Sequence, residues 1–189
     1  MSNFVALLDA CVLYRESLRN LLIRLAVGGL YRARWTERIH EEWIAALLHQ
    51  RPDIPRTALD WTRDQMDSAV PDCLVTGYQH LENELRLPDP DDRHVLAAAI
   101  RCHAGTIVTY NLKDFPDAAL APHGMTAQHP DRFIEHAFGI DPSAVIVAVR
   151  NHRASLKHPP RTTEELFDSY LRHELAATVA LLRPHAALL

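Results

Sequence analysis

Phe4-Val5-Ala6-Leu7-Leu8-Asp9 is an unbroken apolar run that ends in a carboxylate. A half-buried strand alternates apolar and polar residues. A run apolar on both sides suits a strand covered on both faces, as in a parallel sheet between helices. Working outward, Leu18, Leu21, Leu22 and Leu25 recur at helical spacing until Gly28 and Gly29 stop them. Thr36 is placed to cap a helix over 37–49 that Pro52 ends, and Pro55 opens another to about residue 70. A short strand is expected over 73–76 and a brief helix over 78–85. Asp89-Pro90-Asp91-Asp92 then opens an Ala-rich helix to about His103, stopped by Gly105. Strands are expected over 106–110 and 125–128, and a helix over 131–138. This alternation predicts an α/β fold with a central parallel sheet.

Gly139-Ile140-Asp141-Pro142 marks a boundary, beyond which the pattern is helical only. Amphipathic helices are expected over 143–156 and 163–182, separated by His158-Pro159-Pro160. The chain therefore divides into a domain over 1–140 and a C-terminal helical extension over 141–189.

With 189 residues and 48% apolar content, the chain can bury a core without disulfides or a structural metal. The three cysteines, Cys11, Cys73 and Cys102, are odd in number and far apart, and read as reduced thiols of a cytoplasmic protein. Asp9 interrupts the N-terminal apolar run before it reaches signal-peptide length, and no stretch approaches the ~20 residues that span a bilayer. A net charge of −4 is not that of a nucleic-acid coat protein. It is compatible with nucleic-acid binding if the acids cluster about metal ions and the bases lie elsewhere. Arginine dominates the bases, which suits phosphate recognition but also follows from coding bias.

In open α/β sheets ligands bind beyond the carboxyl ends of the strands. Asp9 follows the first strand, Asn111 and Asp114 follow the strand over 106–110, and Asp92 begins a helix in the same layer. Carboxylates without His or Cys suit Mg²⁺ or Mn²⁺, and the chemistry of such a site is phosphodiester hydrolysis. Each residue also has a structural reading. Asp9 can end a strand in a polar turn, and Asp114 can shape the loop before Pro116. Asp89 is placed as an N-cap with Pro90 at the first helical position, and Asp91 and Asp92 then meet the helix dipole. Three acids in four residues exceed what a cap needs, and Asp92 is the one left for the site. Glu41 and Glu42 share a helix, and spacing alone leaves open which of them faces the acids and which faces water. Arg15 and Arg19, four apart, either grip phosphates near Asp9 or pair with surface acids. His94 adjoins the acidic cluster, and Cys11, lacking a base partner, reads as packing.

Together LLDACVLY, WTERIHEEW, LPDPDDRHVLAAAI and TIVTYNLKDFP occur in the order seen in PIN-domain nucleases. The chain resembles these over residues 4–138, and most closely the VapC-type toxins of type II toxin–antitoxin pairs. The resemblance implies an α/β/α sandwich and an Mg²⁺- or Mn²⁺-dependent endoribonuclease whose acidic quartet falls on Asp9, Glu42, Asp92 and Asp114. Asn111 matches the polar residue three before the last acid, and Asp89 matches a DxxD form, so its ligand and cap readings both stand. Arg15, Arg19 and Lys113 become expected phosphate contacts. Cys11 stands where PIN domains often carry Asn, Ser or Thr, and a thiol is a weaker hydrogen-bonding support for the first acid. The implied partners are RNA, a cognate antitoxin and a second copy of the chain. The competing functions are an RNA-processing PIN nuclease without a toxin role and a catalytically silent module that binds RNA or protein. A receiver-like phosphotransfer domain ranks last, because Asp9 lacks a second acid beside it.

Overall fold

Strand β1 (Val5–Leu8) carries the apolar run, and its Ala6, Leu7 and Leu8 have no exposed surface. The computed structural model describes residues 4–189, so the start of the first expected domain, residues 1–3, lies outside the described residues. Helices α1 (Ala10–Leu13) and α2 (Glu16–Val27) lead to β2 (Arg32–Arg34). Next come α3 (Glu37–Gln50), α4 (Arg56–Ala69) and two tight 3₁₀ turns, Gln79–Glu84 and Pro90–Asp92. The second runs into α5 (Arg93–Arg101), followed by β3 (Thr106–Val108), α6 (Asp117–Leu120) and β4 (Thr126–Gln128). Helices α7 (Pro130–Ile140), α8 (Pro142–Ser155), α9 (Thr163–Arg172) and α10 (Ala176–Leu182) follow, and a 3₁₀ turn, Arg183–Leu188, ends the described chain.

The strands form one parallel sheet in the order β2-β1-β3-β4. Ala6 pairs with Ala33 on one side and with Thr106 on the other. The chain thus leaves β1 to one side and returns to the other, and the order reverses between β1 and β3. Their carboxyl ends flank the crevice in which open α/β sheets bind ligands. Helix α5 lies against β1 and β3, α2 against β2 and α6 against β4, giving the α/β layering expected from the sequence. The C-terminal helices share the same core. Helix α8 packs on α2 and α10 on α7, and Leu166, Phe167, Tyr170 and Leu182 are fully buried. No described helix is long and apolar enough to cross a membrane.

Several local expectations hold because the signals are local. Thr36 Oγ1 accepts the Ile39 amide at 3.0 Å, capping α3, and Asp89 accepts the Asp91 amide at 2.9 Å with Pro90 in the first position. Other segments differ. Arg32-Ala33-Arg34 has no apolar run to mark it, yet its backbone pairs along β1. The segment over 73–76 makes only one bridge, Leu74 to Trp35, because Pro71 and a left-handed Gly77 (φ 71°) leave it too short to extend. The segment over 78–85 winds as a 3₁₀ turn. Helix α5 stops two residues early, at Arg101, where His103 turns left-handed (φ 54°). Gly105 has another reason to be glycine, since a Cβ there would come within 3.0 Å of the Phe4 ring.

The long C-terminal helix is broken at His173-Glu174-Leu175, with Glu174 at φ 60°. The break is made by a distant side chain. The Asp131 carboxylate on α7 accepts the Ala177 and Thr178 amides, both at 2.8 Å, and the Thr178 hydroxyl at 2.7 Å. This cap starts a new helix where the apolar pattern alone would continue the old one.

His152 on α8 is fully buried, with its Nδ1 2.8 Å from the Tyr170 hydroxyl of α9. Burial, with the charges of Arg24 and Arg161, pushes its pKa down to about 4. The unfolded chain then binds the proton more readily than the folded one. Stability is fully present above the ordinary value of 6.5 and is lost as the pH falls from there through 4, by about 3 kcal/mol. Urea unfolding as a function of pH should therefore show a one-proton slope in this window that His152→Gln removes.

Candidate active site

Asp9 is the first residue beyond β1, and its amide donates to Val108 O of β3 at 3.1 Å, which locks it to the neighbouring strand. Its carboxylate caps α1, with Oδ1 accepting the Ala10 amide at 2.7 Å. Oδ2 accepts from the Thr109 hydroxyl at 2.7 Å and from the Cys11 thiol at 2.9 Å. Asp9 is thus buried and fixed from three directions. Burial, then the Asp9 charge, pushes the Cys11 thiol up to about 12, so it remains a protonated donor and not a nucleophile. The weak support expected from a thiol is joined here by Thr109. That residue was visible in the sequence only as a β-branched strand position, and its neighbour across the sheet is decided by strand order.

Asp92 ends the Pro90–Asp92 turn, half-buried at the head of α5. Its carboxyl is pushed up to about 6, first by burial and then by the negative charges of Asp9, Asp89 and Asp114. The charges of acids from two other segments, Asp9 and Asp114, thus reach Asp92. Asp114 is held by its own turn, its amide donating to Asn111 O at 3.0 Å, while Asn111 and Lys113 are exposed beside it. Asp89 keeps its cap and still contributes its charge.

The structure separates the two glutamates of α3. Glu41 is exposed and takes Arg56 on both oxygens at 2.7 Å. Glu42 turns toward α5, with Oε1 2.9 Å from His94 Nε2 and 3.3 Å from Arg38 Nε. Helix α3 is anchored by a buried network. Trp43 Nε1 donates to His40 Nδ1 at 2.9 Å, which leaves His40 Nε2 to face Asp67 Oδ1 at 3.0 Å. His94 is 1% exposed, so it backs Glu42 and does not face a substrate.

A cleft of about 640 Å³ is lined by Cys11, Arg15, Glu42, Tyr110, Asn111 and His173, among others; of the expected acids Glu42 is on its wall, and Asp9, Asp92 and Asp114 are not. Arg15 stands at its wall. Arg19 does not, which corrects the expected phosphate contact. It is 6% exposed, donates to Leu13 O at 2.9 Å and lies 5.0 Å over the Trp43 ring, so its guanidinium is an internal tie of α2 to α1 and α3. Tyr110, His173 and Glu174 enter the neighbourhood without a signal in the sequence, because the turn bearing the last two exists only through Asp131.

Carboxylates without thiolates are the donors that hard cations take. Among the described residues no three His, Cys, Asp or Glu side chains stand close enough to enclose one ion. Mg²⁺ typically takes one or two carboxylates and keeps its waters, so it does not need such a cage. The repulsion registered at Asp92 is what a divalent ion would relieve.

The family model described as "VapC50 C-terminal domain" matches residues 130–184, which run from α7 through α10. A Mycobacterium tuberculosis protein named "Putative ribonuclease VapC50" is 34% identical over 126 residues, covering 65% of this chain and 73% of that protein. No solved structure matches.

Proposed function

The chain belongs to the VapC family, and on that premise we propose that it is a divalent-metal-dependent endoribonuclease and the toxin of a toxin–antitoxin pair. The support for the reading is that Asp9, beyond β1, and Asp114, in the turn after β3, lie near enough to Asp92 at the head of α5 for their charges to raise its pKa. The expected ligands are Asp9, Asp92, Asp114 and Glu42, of which one or two would hold an ion directly and the others through its waters. Bound there, Mg²⁺ or Mn²⁺ supplies positive charge against the phosphate and acidifies a water. Asp9 is pre-organised by Thr109, Cys11 and the Ala10 amide. Asp92, raised in the metal-free site by burial and by its acidic neighbours, would be held ionised by the bound cation. Asn111, exposed on the cleft wall, would orient an acid or a water, and Lys113 and Arg15 would offset phosphate charge. The partners that follow are RNA, an antitoxin and a second copy of the chain, in the cytoplasm.

Purified protein incubated with total bacterial RNA should cleave it with Mn²⁺ or Mg²⁺ and not with EDTA, and Asp92→Asn should abolish the cleavage. Salt-sensitive RNA binding without cleavage would instead identify a silent binding module. Metal should also act on the fold. An ion at 100 times its dissociation constant stabilises by about 2.7 kcal/mol, so saturating Mn²⁺ should raise the melting temperature by roughly 5–10 °C over EDTA. A melting temperature that ignores Mn²⁺ would remove the metal from the proposal. Co-purification of a small tightly bound protein would support the toxin role.

A further inference from the structure

The C-terminal turn reaches the cleft that Arg15 and Glu42 line. Tyr110 Oη donates to His173 O at 2.7 Å, and the Arg15 guanidinium lies 4.2 Å over the Tyr110 ring. Among the described residues the ion-pair partner of Arg15 is Glu174, with NH2 3.5 Å from Oε1. That is a long contact for a group with five donors, and both side chains retain exposure, 29% and 62%. Glu174 also stands 3.9 Å from His129 Nε2, while His129 Nδ1 accepts the Asp131 amide at 3.2 Å. The acid at the left-handed position is thus stationed over Arg15 by a turn that Asp131 holds in place.

Resting on the nuclease reading, we propose that this corner of the cleft is a nucleotide subsite for RNA, completed by the C-terminal turn. In it Arg15 takes a backbone phosphate in exchange for Glu174. Three observations converge on this ligand. The guanidinium is under-bonded and faces the cleft. The cleft's 640 Å³ is of small-ligand size. Its wall beside Arg15 carries two partly exposed tyrosines, Tyr14 and Tyr110, and bases stack on such rings whatever their sequence. Glu174 acts as a placeholder that keeps Arg15 extended over Tyr110 until a phosphate arrives.

Calorimetric titration of the full chain in EDTA with AMP, UMP and inorganic phosphate tests the subsite apart from catalysis. The mononucleotides should bind more tightly than inorganic phosphate. Arg15→Ala should weaken them roughly tenfold or more. Glu174→Gln, on an exposed side chain, should tighten them about threefold. With a single-stranded oligonucleotide, Arg15→Ala should lower the salt slope by about 0.7, as loss of one phosphate contact requires. In Mn²⁺, Glu174→Gln should lower KM about threefold. If Arg15→Ala fails to fold, Arg15→Lys keeps the charge, loses the fork and should give an intermediate affinity. Mononucleotide affinity indifferent to both Arg15 and Glu174, or equal to that of inorganic phosphate, overturns the subsite even if RNA is cleaved. Arg15-dependent nucleotide binding without any RNA cleavage would leave the subsite standing and remove the nuclease reading.

Discussion

Asp92→Asn should make the metal-free protein more stable while reducing metal-dependent RNA cleavage by more than about a hundredfold. Both effects come from one carboxyl. Its pKa is raised from 3.8 to about 6 by burial and by Asp9, Asp89 and Asp114. A raised acid favours the folded state below 3.8, and that advantage is lost as the pH rises through 6. At pH 7.5 the ionised group therefore destabilises the fold. After allowance for solvent screening of a half-buried side chain, the penalty is about 1–2 kcal/mol. The neutral amide removes it, which in a chain of this size raises the melting temperature by roughly 3–6 °C. Thermal melts in EDTA at pH 7.5 and pH 4 measure this, since the gain should be present at the higher pH and absent at the lower. A destabilised Asp92→Asn at pH 7.5 would mean that burial and the neighbouring charges do not penalise the ionised Asp92. The stabilised protein should also lose most of its response to Mn²⁺, because the cation no longer relieves that repulsion.

Asp131→Ala should be the most damaging single substitution among the C-terminal contacts, with a loss of about 3 kcal/mol. The carboxylate is 9% exposed and takes three donors from the start of α10. Truncation leaves two amides and the Thr178 hydroxyl buried without an acceptor, and each such group carries a desolvation penalty of about 1–3 kcal/mol. Denaturant unfolding gives the total. Hydrogen exchange gives the location, with protection lost first at Ala177 and Thr178 while the sheet amides of Leu7 and Ile107 keep theirs. A loss below about 1 kcal/mol would show that desolvating the carboxylate cancels its bonds. Because the same cap holds the turn that carries Glu174, Asp131→Ala should also loosen the wall of the cleft.

The legible parts of the fold are those whose causes lie within a few residues. The run ending at Asp9 announces a strand buried on both faces, and the Leu18 to Leu25 spacing a helix. Thr36 and Pro90 announce helix starts through contacts made three residues or fewer away. β2 was not legible, because an edge strand pairs through its backbone and Arg32-Ala33-Arg34 has no side-chain pattern to show it. The broken C-terminal helix was not legible either, since the carboxylate that starts α10 lies 46 residues away in the chain.

The same division runs through the candidate site. Sequence alone determined that Asp9, Asp92 and Asp114 stand at the ends of strands or the heads of helices, where acids are exposed to a ligand layer. It could not separate Glu41 from Glu42, or tell a phosphate-binding Arg15 from an interior Arg19, because one turn of helix offers both faces to such neighbours. Tertiary structure decided these. Placing β3 beside β1 brings Thr109 to Asp9 and sets Asp92 among the other acids. Packing α3 on α1 buries Arg19 over Trp43, and Asp131 swings Glu174 across to Arg15. Periodicity and capping act over three or four residues and are written in the chain. Charge repulsion and side-chain exchange act across space between segments up to a hundred residues apart, and exist only once the sheet order is set.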